Sequence, residues 1–293
     1  MQTSLSRTMA CCAVAFTIAS AALAQADDRR PQPTAALARA HAHNDYEHDR
    51  PLFDALAQGF TSVEADVWLV DGELLVAHDL TDVSFDRTLE SLYLQPLREL
   101  ARAHGGRIYR DFPHSIQLLI DIKSDAEPTY AALHRVLARY ASIITVFSPR
   151  GVHERAVTAV ISGNRPRETM EAQSRRYAGY DGRRADLGSD ALAEFIPLIS
   201  DNWETIFTWR GVGEFPEAER ELLHDIVETA HTNGQRVRLW ATPEDPATRE
   251  AVWQVLLEAG VDYLNTDDLA GLAAYLHEHD QHVSVPNVDW FEP

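Results

Sequence analysis

The sequence predicts an α/β protein built as a single (β/α)8 TIM barrel, and three observations carry that expectation. Short apolar runs alternate with amphipathic segments along nearly the whole chain, which is the pattern of a parallel sheet covered by helices. Several of those runs end in histidine or acid, as strands do when their C-terminal ends line the mouth of a barrel. The 293 residues also leave room for one barrel of roughly 250 residues and little more. No internal repeat and no linker rich in Gly, Ser or Pro divides the chain.

Residues 1–24 read as a cleavable signal peptide: Arg7 is the basic start, Met9 to Leu23 the apolar run and Ala22-Leu23-Ala24 the small-x-small cleavage pattern. The run is too short for a stable membrane span. Cys11 and Cys12 fall inside it, so the mature chain would carry no cysteine. The expectation is a periplasmic or secreted protein with a flexible leader over residues 25–36, a barrel over 37–282 and a tail over 283–293. With 45 acidic residues against 26 Lys and Arg, the net charge of −19 argues against nucleic acid as partner. A single anionic group held in a pocket is still compatible with it, and the chain is expected to act as a monomer.

Taken in order, Ala36 to Ala42 is a first strand ending at His41 and His43. Pro51 to Gly59 is a helix with Pro in its first turn and Gly at its stop. Phe60 to Val67 and Glu73 to Ala77 follow as strands joined by an Asp71-Gly72 turn. Leu92 to His104 is a helix. Ser115 to Lys123 is the strongest strand, apolar enough to be buried on both faces. Thr129 to Tyr140 is helical, and Ala156 to Ile161, Arg176 to Tyr180 and Phe195 to Ser200 are strand candidates. Glu217 to Asn233 is a long helix; Arg236 to Trp240, Pro246 to Ala259 and Val261 to Asn265 form a strand–helix–strand unit before the helix Leu269 to His279. That makes nine strand candidates for eight barrel positions, with one of the segments 176–180 and 195–200 expected to be surplus. The tail, with Trp290 and Phe291, is expected to pack back over the barrel.

Glu64 and Asp66 lie two apart on a strand, so both carboxylates point to one side. Crowded acids share a proton or bind a cation, and oxygen-only ligation favours Mg²⁺, with Ca²⁺ as the alternative. Asp121, at the end of another apolar strand, would be a third ligand. The bland alternative is that these acids only pair with basic groups. His41 and His78 suit a general acid and base, and Lys123, two residues from Asp121, suits a phosphate oxygen.

Ala40-His41-Ala42-His43-Asn44-Asp45, Val63-Glu64-Ala65-Asp66-Val67, the His78 segment and Leu119-Ile120-Asp121-Ile122-Lys123 together resemble the phosphatidylinositol-phospholipase-C-like phosphodiesterase superfamily. Within it they are similar to glycerophosphodiester phosphodiesterases and sphingomyelinase D toxins. Arg238 to Thr242 and Ala259 to Asp267 match the last two strands of such barrels. With His43-Asn44-Asp45-Tyr46 and Arg87 to Tyr93, the nearest likeness is to the fungal altered inheritance of mitochondria proteins. The resemblance implies a metal-dependent phosphodiesterase acting on a small phosphodiester or lipid headgroup. It implies His41 and His78 as catalytic residues, Glu64, Asp66 and Asp121 as Mg²⁺ ligands, and Lys123, Trp240, His43 and Asn44 as substrate contacts. The chain lacks the His-Arg-Gly start and Glu-Asn-Thr box of glycerophosphodiesterases, has Asp121 where those enzymes usually have Glu, and carries His43 where the toxins are apolar.

Two other readings stand beside this one. His41-x-His43 ending a first strand is also the signature of amidohydrolase-type barrels, where both bind a transition metal; residues 157–163 and 196–202 offer no further histidine for it. A non-catalytic exported barrel that binds a ligand is the other. The segment 202–216, with Trp203, Phe207, Trp209 and Phe215, either packs the barrel mouth or grips a lipid or aromatic leaving group.

Overall fold

A computed structural model describes residues 35–291; the signal-peptide reading and most of the leader lie outside them. Eight parallel strands close into a barrel: β1 (Leu37–Ala42), β2 (Phe60–Val70), β4 (Ile116–Ile122), β7 (Val157–Gly163), β8 (Gly179–Gly182), β9 (Leu198–Asn202), β10 (Arg236–Trp240) and β11 (Tyr263–Thr266). Each pairs with its neighbour in chain order, and β11 closes the ring on β1 with Ala40 opposite Leu264.

The surplus ninth strand is β3 (Glu73–Val76), not either of the two segments suspected from the sequence. It pairs antiparallel with the end of β2, Val70 opposite Glu73, outside the ring. The reason is the Asp71-Gly72 turn: both residues have positive φ, 49° and 88°, the conformation of a tight hairpin. Two parallel strands need a crossover that two residues cannot make. Segments 176–180 and 195–200 both supply barrel strands, moved a few residues toward the C-terminus, as β8 and β9. A small antiparallel ribbon, β5 (Val146–Ser148) and β6 (Gly151–His153), precedes β7.

The helices α1 (Phe53–Ala57), α2 (Gln95–Ala103), α3 (Ala126–Arg139), α4 (Arg167–Ala172), α5 (Trp203–Ile206), α6 (Glu217–Thr232), α7 (Arg249–Glu258) and α8 (Leu269–His279) fill the crossovers. Only a 3₁₀ turn at Arg184–Asp186 links β8 to β9. α6 shows the construction: Leu223, Ile226, Val227 and Ala230 are its buried residues, spaced at one helical face. Among the described residues no helix is long and apolar enough to cross a membrane.

Inside the ring, Leu119, Val160, Leu198 and Tyr263 form an apolar layer, and the tail seats Val288 and Trp290 against it. The Trp290 indole donates to the Pro197 carbonyl (3.0 Å), and the Arg236 guanidinium lies 3.9 Å from the centre of its ring. Pro197 and Arg236 stand where β9 and β10 begin, so the tail closes the N-terminal end and leaves the C-terminal end for the polar groups. The four aromatic residues of segment 202–216 are buried and stack on one another, Trp203 on Phe207 at 4.3 Å and Trp209 on Phe215 at 5.0 Å. They form a small core of their own, which leaves none of them to grip a ligand.

Trp290→Ala is expected to lower stability by about 3–5 kcal/mol, the usual cost of emptying a buried aromatic site. Urea unfolding followed by circular dichroism measures it.

Candidate functional site

The twist of parallel strands brings Glu64 and Asp66 of β2 beside Asp121 of β4, which stands in register with Asp66. One carboxylate oxygen from each of the three lies within 4.8 Å of the others. Lys123 closes the group, its Nζ 3.0 Å from Asp66 Oδ2 and 3.5 Å from Asp121 Oδ1. The next strand makes room for this arrangement with a glycine. Gly163, opposite Ile122, has φ +66°, and a Cβ there would overlap the Asp121 carboxylate and the Ile122 carbonyl.

Two of the acids are divided between their two oxygens. Glu64 Oε2 accepts from Arg238 Nη2 (2.6 Å) and faces His41 Nε2 (3.2 Å), while no donor among the described residues reaches Oε1. Asp66 Oδ2 accepts from the Tyr46 hydroxyl (2.7 Å) and from Lys123, with His78 Nδ1 at 3.2 Å. Its Oδ1 is buried without a partner, an uncompensated polar atom of the kind a cation satisfies. Burial pushes Asp121 up to about 6, against the pull of Lys123. Burial and the Glu64 charge raise Asp66 as well. Burial acts the same way on Glu64, but the Arg238 guanidinium and His41 outweigh it and hold that acid below the usual range.

The histidines are sorted by depth. His41 and His43 share the inward face of the first strand's end, two residues apart. His41 is fully buried, Nδ1 2.6 Å from Ser62 Oγ and Nε2 on Glu64. Gln117 Nε2 donates to the same Ser62 hydroxyl (2.8 Å), so the neutral ring completes a chain from Gln117 through Ser62 and His41 to Glu64. Burial and the nearby Arg238 charge lower His41 to about 3, which keeps it neutral. Both nitrogens of His41 are thus engaged below the surface. In this arrangement the ring holds Glu64.

His43 is the residue at the mouth. Its side chain is 29% exposed, and Nδ1 lies 2.8 Å from Asp267 Oδ1 just after β11. That pairing fixes the tautomer and leaves Nε2 without a partner among the described residues. Burial pulls His43 down, but the Asp267 hydrogen bond and the Glu64 charge raise it overall. His78, after β3, is exposed, with Nδ1 3.2 Å from the Tyr46 hydroxyl. Asn44 is held at φ 47° with its side-chain amide 2.8 Å from the Tyr46 hydroxyl; Trp240 is half-buried at the end of β10.

Three contributors escaped the sequence reading. Tyr46 joins Asp66, Asn44 and His78 through one hydroxyl. Arg238 points inward from β10, its Nε donating to Asn265 Oδ1 (2.9 Å). Asp45 is fully buried and accepts from the Leu52 amide (2.6 Å) and the Tyr93 hydroxyl (2.8 Å), which pins the loop carrying Asn44 and Tyr46. All three stand inside the motifs that carry the family resemblance, and the direction of their side chains is what the sequence does not state.

Fold and site thus define a parallel α/β barrel with three carboxylates gathered at its C-terminal mouth. The family model described as AIM6-like phosphodiesterase domain matches residues 34–181, and that of the glycerophosphoryl diester phosphodiesterase family matches residues 236–270. Altered inheritance of mitochondria protein 6 of Eremothecium gossypii is 32% identical, over 82% of this chain and 69% of that protein. Its namesakes of Lachancea thermotolerans (28% identical; 79% of this chain, 64% of that one) and Kluyveromyces lactis (29%; 85% and 76%) are similar too. The chain therefore spans about two thirds to three quarters of the length of these relatives. A solved glycerophosphoryl diester phosphodiesterase from Parabacteroides distasonis superposes with a TM-score of 0.49 at 12% identity, over 85% of this chain and 89% of that one. The chain belongs to the AIM6-like phosphodiesterase domain family.

Gly163→Ala is expected to cost about 2 kcal/mol or more through positive φ and overlap, and to weaken divalent-cation binding by displacing Asp121; unfolding curves and calorimetric titration read the two effects. Burial pushes Asp45 up to about 7, above its value of roughly 3.9 in an unfolded chain. The folded state therefore holds this proton more tightly, and the associated stability, complete below about pH 4, is lost as pH rises through 7. Asp45→Asn should flatten that part of the stability–pH curve.

Proposed function

We propose that this protein is a metal-dependent phosphodiesterase that hydrolyses a small phosphodiester or a lipid headgroup, acting as a monomer in the periplasm or outside the cell. The observation that carries the reading is the carboxylate trio with its open oxygens, set beside two histidines that reach the mouth. The N-terminal signal-like segment supports the location.

Glu64, Asp66 and Asp121 would hold the cation, and an oxygen-only donor set with an unpartnered buried Asp66 oxygen fits Mg²⁺. The bound ion supplies charge neutralisation and polarisation of the phosphoryl oxygens. Lys123 adds a fixed positive charge for a non-bridging oxygen. Water attacks phosphorus, the bond to the leaving alcohol breaks, and two protons move: one from the water to a histidine, one from the other histidine to the departing oxygen. We assign these transfers to His43 and His78. A neighbouring substrate hydroxyl in place of water would yield a cyclic phosphate. The amidohydrolase alternative is disfavoured because His41 turns to Glu64 while His43 turns to Asp267.

Hydrolysis of bis-(p-nitrophenyl) phosphate with Mg²⁺ and with EDTA tests the reading, followed by a panel of glycerophosphodiesters, lysophospholipids and cyclic phosphates. Turnover should require the ion, and His43→Ala and His78→Ala should each lower kcat by about 10²–10⁴-fold. His41→Ala should act instead through weakened cation binding, curable in part by excess Mg²⁺. Folded, cation-loaded protein that turns over no diester would sink the proposal; full activity in His43→Ala would return the proton transfer to His41.

A further inference from the structure

Two of the three carboxylates in the cradle have one oxygen committed to the protein, and for Glu64 the commitment is buried. Arg238 Nη2 lies 2.6 Å from Oε2, the Arg238 and Glu64 side chains are only 4% and 6% exposed, and Asn265 Oδ1 accepts from Nε of the same guanidinium. A charge-assisted hydrogen bond in such surroundings is strong. If Oε2 turned to a cation, Arg238 and His41 would be left as buried donors without an acceptor, a costly state. Asp66 repeats the pattern at the mouth, with Oδ2 taken by Tyr46 and Lys123 and Oδ1 open.

We infer that Arg238 determines which divalent cation the site accepts, by restricting Glu64 to a single ligand oxygen. The inference rests on the proposed reading that the carboxylate trio binds a divalent cation. Ca²⁺ takes six to eight oxygens and commonly draws both oxygens of a carboxylate; Mg²⁺ takes six at shorter distance, one per carboxylate, and completes its shell with water and phosphate oxygens. A cradle in which two of the three acids offer a single oxygen suits the smaller ion. Arg238 is thus a selectivity residue that acts on the ion through Glu64 and touches neither ion nor substrate.

The guanidinium also repels any cation, so the experiment must separate charge from denticity. Isothermal titration of the full chain with Mg²⁺ and with Ca²⁺ gives the ratio of the two affinities for wild type, Arg238→Met and Arg238→Lys. Freed to chelate with both oxygens, Glu64 should favour the larger ion, so the Ca²⁺-to-Mg²⁺ affinity ratio should rise by about tenfold or more in Arg238→Met. Arg238→Lys keeps the charge but cannot span Asn265 and Glu64 with one ammonium; the ratio should rise there too, and this variant decides the matter if the Met variant does not fold. Equal gains for both ions, with the ratio unmoved, would make Arg238 a mere charge and overturn the inference. Wild type that binds neither ion would overturn the cation-site reading itself, an outcome distinct from an unmoved ratio.

Discussion

Three carboxylates within 4.8 Å of one another repel, and inside a barrel the repulsion is not screened away. At an effective dielectric of about 20, each such pair costs about 3 kcal/mol when both members are ionised. The surroundings of the site are arranged around that cost. Arg238 lies beneath Glu64, Lys123 stands between Asp66 and Asp121, and Tyr46 donates to Asp66 from the side. Two fixed cations against three anions leave the cluster with one negative charge in excess. A divalent ion would reverse that sign, and a singly charged phosphodiester would then bring it to zero.

The barrel supplies depth as well as direction. Along one inward-facing column of the first strand, His41 reaches the buried network of Ser62, Gln117 and Glu64, and His43, one step higher, reaches Asp267 and solvent. The same residue type two positions apart therefore meets two environments: one ring is tied to a buried acid, and the other reaches the mouth on Asp267. Asp45 contributes from outside the ring by holding the loop on which Asn44 and Tyr46 approach Asp66.

Much of this was legible in the residues. Strand periodicity placed Glu64 with Asp66 and Asp121 with Lys123, and the alternation of strand and helix identified the barrel. What escaped is instructive. Glu73 to Ala77 has the apolar content of a barrel strand, but the two-residue Asp71-Gly72 turn before it excludes a parallel partner. Period two put His41 and His43 on one face but carries no information on how far along the barrel axis each one sits. Arg238 went unassigned because a strand arginine ordinarily points to solvent, and only the ring closure that brings β10 across from β2 turns it toward Glu64.

That closure has a consequence for how the chain reaches its native state. β1 completes its pairing only with β11, so a contact between Ala40 and Leu264 must form across almost the entire described sequence. Contacts of such long separation form late and slowly. Until they do, β1 and β11 each present an unpaired edge, the feature most prone to recruit another chain. A protein built this way is most vulnerable during its own synthesis and folding, when all but the last strand is in place.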